Sequence, residues 1–168
     1  IISTNAGLWA YNIGDTIQFT SLKPYRVIVS GRIKHYISAF GEHVIGKEVE
    51  SALKEAMEGT DVRVNEFTVA PQITPTEGLP YHEWLIEFEN EPHNLEVFAL
   101  KIDTAMRKQN VYYDDLIVGH VLRTLVITNV PKNGFQEYMK SIGKLGGQNK
   151  LPRLSNDRKI AQFFETNE

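Results

Sequence analysis

Apolar positions along this chain fall into two regimes. Over the first third they sit in short runs broken by tight-turn signals. Leu8 to Ile13, Thr16 to Thr20 and Tyr25 to Val29 read as strands, with Gly14-Asp15 a hairpin-type turn and Ser21-Leu22-Lys23-Pro24 the next turn. Three short strands cannot bury a face alone, so they belong to a sheet whose remainder is missing from the chain or lies in its second part. From about Val44 the period lengthens. Ile45, Val49, Ala52, Leu53 and Ala56 form a helical stripe among Lys47, Glu48, Glu50, Lys54 and Glu55, closed by Gly59.

Val62, Val64, Phe67 and Val69 then mark a strand, and Pro71 to Pro80 a proline-rich loop. Tyr81 to Glu89 alternates, which puts Trp84, Ile86 and Phe88 on one face and Glu83, Glu87 and Glu89 on the other. A helix with Leu95, Phe98, Ala99, Ile102 and Met106 follows Pro92, and Leu122 to Val130 reads as a β-branched strand. Phe135, Met139 and Ile142 make a third helical stripe, and Ser155 can cap a last helix carrying Ile160, Phe163 and Phe164. The order is β-rich, then α-β-β-α-β-α-α. It predicts an α+β fold: a short β-rich segment, then a small mixed sheet with helices packed on it. The break falls near Gly31 to Phe40, giving residues 1–33 as one unit and 34–168 as another.

Composition narrows the function without naming it. With 168 residues the chain is long enough for a core of its own. It has no cysteine, which excludes a disulfide scaffold, a thiolate nucleophile and Cys-ligated metal. Eighteen basic against 21 acidic residues argue against a general nucleic-acid binder. No apolar run is long enough to cross a bilayer. There is no initiator Met and no signal peptide at the start, so the expectation is a cut piece of something longer or a processed product, from a reducing, cytoplasmic compartment. The five histidines show no HxxxH or HExxH spacing, and no serine sits in a GxSxG elbow.

Three stretches carry candidate chemistry. In Tyr11-Asn12-Ile13-Gly14-Asp15, the aspartate is either an ordinary turn residue or a carboxylate able to grip a ribose diol through charge-assisted hydrogen bonds. In Ser30-Gly31-Arg32-Ile33-Lys34, either Arg32 and Lys34 are a solvated strand face with Gly31 a kink, or Arg32 is a planar fork for a phosphate or ribose and Gly31 a hinge. In Gly146-Gly147-Gln148-Asn149-Lys150-Leu151-Pro152-Arg153, Lys150 is either a surface lysine or a mobile one that folds over a phosphate. The spacing is not that of a P-loop.

Taken together and in this order, the three stretches resemble the C-terminal part of an adenylate-forming enzyme of the firefly-luciferase-like superfamily. Tyr11 to Asp15 is similar to its ribose motif, Ser30 to Lys34 with Gly41-Glu42 to its hinge motif, and Gln148 to Arg153 to its terminal lysine segment. Within that superfamily the chain most resembles the auxin-responsive promoter family of acyl-acid amido synthetases. Thr4 to Trp9 and the Gly119 to Pro131 region are similar to bacterial members. Gly31 stands where the superfamily often has an acidic residue, and Asn12 where arginine is common.

The resemblance implies a ligase that uses ATP with Mg²⁺ to convert a carboxylic acid to an acyl-adenylate, then passes the acyl group to an amine or amino acid. It makes Lys150 the catalytic cation, Asp15 and Arg32 nucleotide-binding, and Gly31 and Lys34 hinge residues. Residues 1–33 become the end of an N-terminal adenylation domain, and 34–168 a mobile C-terminal domain. The partner is then the rest of the same polypeptide, and the isolated piece is expected to be inactive. The competing expectation is a ligand-sensing or protein-interaction module with no chemistry.

Overall fold

The two longest alternating stretches pair with each other at the centre of the fold. In the computed structural model, which describes residues 2–12, 14–32, 36–146 and 149–166 and only the backbone of Thr16, Ser30, Gly31 and Arg32, these are β5 (Arg63–Gln72) and β6 (Tyr81–Asn90). They run antiparallel in register from Arg63↔Asn90 to Gln72↔Tyr81. A short β7 (Val126–Asn129) joins β6 in parallel, giving the order β5-β6-β7. A parallel neighbour needs a crossover connection. Here α2 (Leu95–Gln109) and α3 (Val111–Val118) supply it.

Both faces of this sheet are covered. On one, α1 (Gly46–Met57) and α2 press Val49, Leu53, Phe98, Ile102 and Met106 against Phe67, Trp84, Ile86 and Phe88. The Phe67 and Trp84 rings stack at 5.7 Å. On the other, α4 (Gly134–Ser141) and α5 (Lys159–Glu165) bring Phe135, Met139 and Ile160 onto Leu85. Close approach there requires Gly134, since a Cβ would lie 2.7 Å from Val130 Cγ1 and 3.0 Å from the Phe164 ring. The mixed α+β architecture is the one the sequence predicts.

Several elements differ from expectation, each for a physical reason. The second face of β6 is not solvated: Glu83 and Glu87 are buried beneath α4 and α5. Glu83 accepts from Thr128 Oγ1 (2.5 Å) and pairs with Arg158 (2.7 Å), and Glu87 accepts from the Asn133 N–H (3.0 Å). The α3 helix is hidden in a β-branched and aromatic run, Val111-Tyr112-Tyr113, and is started by Asn110, whose side chain caps Tyr113 N–H at 2.9 Å. The strand expected over 122–130 shortens to β7 because residues 119–122 bond back to α3 and the Arg123 N–H goes to the Pro80 carbonyl. Ser155 does not cap α5. Its hydroxyl bonds Asp157, and the Asp157 carboxylate takes the Lys159 N–H.

The first third departs most. Leu8 to Asn12 is not a strand, and only Tyr11 pairs, with Ile2. Gly14-Asp15 is not a hairpin turn. Asn12 accepts the Gly14 N–H at 2.9 Å in an Asx turn, Gly14 takes φ +74°, and a strand then begins. That strand, β1 (Asp15–Leu22), pairs with β2 (Tyr25–Arg32) around Lys23-Pro24 as a separate two-stranded ribbon. β3 (Tyr36–Ile37) and β4 (Val44–Ile45) form a second small pair leading into α1.

Candidate functional site

The ribbon brings two of the sequence candidates face to face. Asp15 opens β1, half-buried, and its partner across the ribbon is Arg32, which ends β2. Directly opposed residues of an antiparallel pair stand about 4.5–5.5 Å apart at Cα, so the backbones of Asp15 and Arg32 are neighbours at the ribbon's open end. Gly31 lies opposite Thr16 beside them, where the register shifts. Lys34 lies outside the described residues.

Lys150 is exposed at the rim of an open groove of about 820 Å³. Phe135 and Met139 of α4, Glu50 of α1 and Glu66 of β5 line it as well. Asn149, beside the lysine, donates from Nδ2 to the Gly146 carbonyl at 3.3 Å. Beyond Lys150 the chain is held closely. Leu151 and Leu154 are buried in the two separate cores on opposite faces of the sheet. The backbone of 153–155 brackets Val69 through bonds of 3.0 and 2.9 Å. Arg153 lies 4.6 Å over the Phe67 ring, donates from Nε to Glu50 (3.2 Å) and from Nη1 to Glu66 and the Phe67 carbonyl (3.2 Å).

A buried polar chain, which the sequence did not single out as such, ties the 36–45 segment to the sheet. Glu42, matched in sequence to the hinge motif, has no exposed surface. It accepts from the Phe40 N–H (2.8 Å) and pairs with His82 Nε2 (2.9 Å), whose ring stacks on Tyr113 at 5.1 Å. Tyr113 donates its hydroxyl to Asp103 at 2.7 Å, and Asn110 Nδ2 donates to the Glu42 carbonyl at 3.0 Å. Burial pulls the Glu42 carboxyl up, but the His82 contact and backbone donors outweigh it and hold it below its usual value. Burial, reinforced by the Asp103 charge, pushes the Tyr113 phenol well up, so it stays a donor. These groups are dry and mutually satisfied, which makes them a docking device for the segment and not a reaction centre. In sequence only Glu42 stood out, through the Gly41-Glu42 match; nothing in the spacing singled out His82, Asp103 or Asn110.

Among the described residues no group of three or more His, Cys, Asp or Glu side chains is arranged to hold a metal. No described helix is long and apolar enough to cross a membrane.

The geometry can be set beside known proteins. The chain is similar in structure to "GH3.15 acyl acid amido synthetase", with a TM-score of 0.74 and 20% identity, over 98% of this chain and 32% of that one. It is equally similar to "AtGH3.15 acyl acid amido synthetase in complex with 2,4-DB", with a TM-score of 0.74 and 20% identity, over 98% of this chain and 31% of that one. The chain thus spans about a third of the length of these structures. No curated protein matches the sequence. At such identity the likeness speaks for the fold. The family itself rests on sequence: the model of the GH3 family C-terminal domain matches residues 47–159, well over half of the chain. The chain belongs to the GH3 family and carries its C-terminal domain.

Proposed function

We propose that the chain is the C-terminal part of a cytoplasmic, ATP-dependent acyl-acid amido synthetase. The observation that carries this reading is the extent of the structural likeness. It runs over 98% of the chain, so it takes in the ribbon with Asp15 and Arg32 as well as the domain with Lys150.

The reaction has two steps. A carboxylate oxygen of the acid attacks the α-phosphorus of ATP, and the bond to the β-phosphate oxygen breaks to release pyrophosphate. An amine nitrogen then attacks the acyl carbon, loses its proton, and AMP departs with the electrons of the anhydride bond. Asp15 accepts from the ribose hydroxyls and Arg32 assists it. Lys150 neutralises the charge that develops between carboxylate and phosphate, an electrostatic effect of the kind that dominates such transfers. Gly31 to Lys34 act as the hinge about which 34–168 turns, carrying Lys150 to and from the ribose site. The 1–33 segment is the end of the preceding adenylation domain, whose surface covers the apolar ribbon. Mg²⁺ enters with ATP. The described residues offer it no ligand set, and no step here depends on it.

On this reading the 168-residue chain alone is inactive, because the ribbon and Lys150 are only part of a nucleotide site. The test is pyrophosphate exchange by the full-length parent across a panel of carboxylic acids. Acid-dependent exchange with at least one of them is expected. Nucleotide binding without any acid-dependent exchange would leave the chain a ligand-sensing module.

A further inference from the structure

We propose that Arg153 is a positioning residue for Lys150, setting the direction in which the lysine leaves the body of the domain. The inference rests on the reading of Lys150 as the adenylation cation. A glycine-rich approach made Lys150 look like a side chain on a free tether. The structure instead anchors the chain immediately after it. Leu151 enters the core under α4 and α5, Leu154 enters the core under α1 and α2, and Val69 of β5 bonds the backbone at Arg153 and Ser155. Those contacts fix the path of the segment. Arg153 fixes its roll, because its flat face lies on Phe67 while its edge binds Glu50 on α1, Glu66 on β5 and the Phe67 carbonyl. Only a planar guanidinium can stack and fork at once; an ammonium cannot.

A second consequence is electrostatic. Glu50 and Glu66 line the same groove as Lys150. While Arg153 occupies them, its one positive charge engages both carboxylates and offsets one of their two negative charges. Without it, two carboxylates on the groove wall become free to draw the Lys150 ammonium inward. A donor that must meet charge forming in a transition state works by being aimed beforehand, and a misplacement of about 1 Å can cost roughly a hundredfold.

The experiment compares half-reactions in the full-length parent. Arg153→Ala is expected to lower the pyrophosphate-exchange rate by about tenfold or more, with the apparent ATP constant unchanged. Amine transfer from a chemically supplied acyl-adenylate should stay within about twofold of the parent. Arg153→Lys, which keeps the charge and protects folding, should recover at most part of the exchange. Glu50→Gln with Glu66→Gln, which leaves Arg153 in place but loosens its hold, should show the same split in milder form. A purely structural arginine would depress both half-reactions together and be rescued by lysine, and either result overturns the inference. So would exchange within about twofold of the parent in Arg153→Ala. If Lys150→Ala also leaves exchange intact, it is the role of Lys150 that fails. Amide hydrogen exchange on the 168-residue chain then still judges the anchoring. Arg153→Ala should speed exchange at the Val69 and Ser155 amides, which tie the 153–155 backbone to β5, while β6 and α1 keep their protection, and unchanged rates at both amides would refute it.

Discussion

The ribbon before Tyr36 and the layered body after it are built from similar apolar residues and bury them very differently. In the body even a polar pair is buried, with Glu42 at 0% and His82 at 1% exposure. In the ribbon Val29 is 66% exposed, and Ile17, Phe19 and Val27 are each half out in solvent. Alternating apolar residues signal that a face is meant to be covered, not what covers it. In the body α1, α2, α4 and α5 do so from within the chain. A two-stranded ribbon is marginal alone, and contiguous exposed apolar surface marks a contact site. The two halves of the proposed site therefore differ in support: Lys150 stands on the layered body, Asp15 on a ribbon whose apolar side chains are largely exposed.

The largest effect should come from the body's own core. Leu53 is buried between α1 and the cluster holding Trp84 and Phe88. Leu53→Ala should cost about 2–5 kcal/mol in denaturant unfolding of the 168-residue chain. A loss below about 0.5 kcal/mol would mean that the body is not the stable partner in this comparison.

Next comes Lys150. Its exposure means that Lys150→Ala should leave stability nearly unchanged. Adenylation by the full-length parent should nonetheless fall by about 10²-fold or more, the scale of removing one preorganised charge-stabilising donor. Asp15→Ala should act on binding instead. Losing charge-assisted bonds of about 1.5–3 kcal/mol each should raise the apparent ATP constant at least about tenfold, with a smaller change in rate at saturating ATP. An unchanged ATP constant would take the ribbon out of the nucleotide site.

The acid limb separates the regions in another way. Glu42 has a folded-state pKa below its ordinary value, so its contribution is fully present above about pH 4.3, the unfolded carboxyl value. It is lost as pH falls through the lower folded value. Unfolding free energy measured from pH 6 to 3 should therefore drop more steeply in the parent chain than in Glu42→Gln. Equal slopes would show that the buried pair does not carry the acid response.

Much of the body was legible because its residues obey one period at a time. The α1 stripe, the alternation of β6 and the α2 stripe after Pro92 follow from spacing. What was not legible depends on a second layer. Glu83 and Glu87 look solvent-facing on their own strand, and only α4 and α5 arriving from far along the chain bury them. Asp103 and Asn110 become polar anchors only when β6 and the 36–45 segment meet them. For the site, the spacing of Asp15 and Arg32 hid their adjacency, which only the β1–β2 register creates. Lys150 was visible as a residue, but its firm footing was not. Glycine content before it signalled freedom, while the anchors after it lie on α1 and β5.

The smallest effect tests the ribbon directly and gains its force from being measured twice. Val29 and Thr have nearly the same shape, so Val29→Thr changes polarity while keeping the β-branched strand preference. In the 168-residue chain the side chain is mostly in water, and a solvent-facing swap of this kind should stay within about 0.5 kcal/mol. In the full-length parent, if the preceding domain covers the ribbon, the added hydroxyl is taken out of water without an assured partner. Burial of an unpaired hydroxyl costs about 1–3 kcal/mol by mutational measures. The same substitution should therefore be nearly silent in one chain and cost above about 1 kcal/mol in the other. Equal small effects in both would mean that the ribbon stays exposed in the whole protein, and that the contrast between the two regions is intrinsic to the fold and not a trace of a missing neighbour.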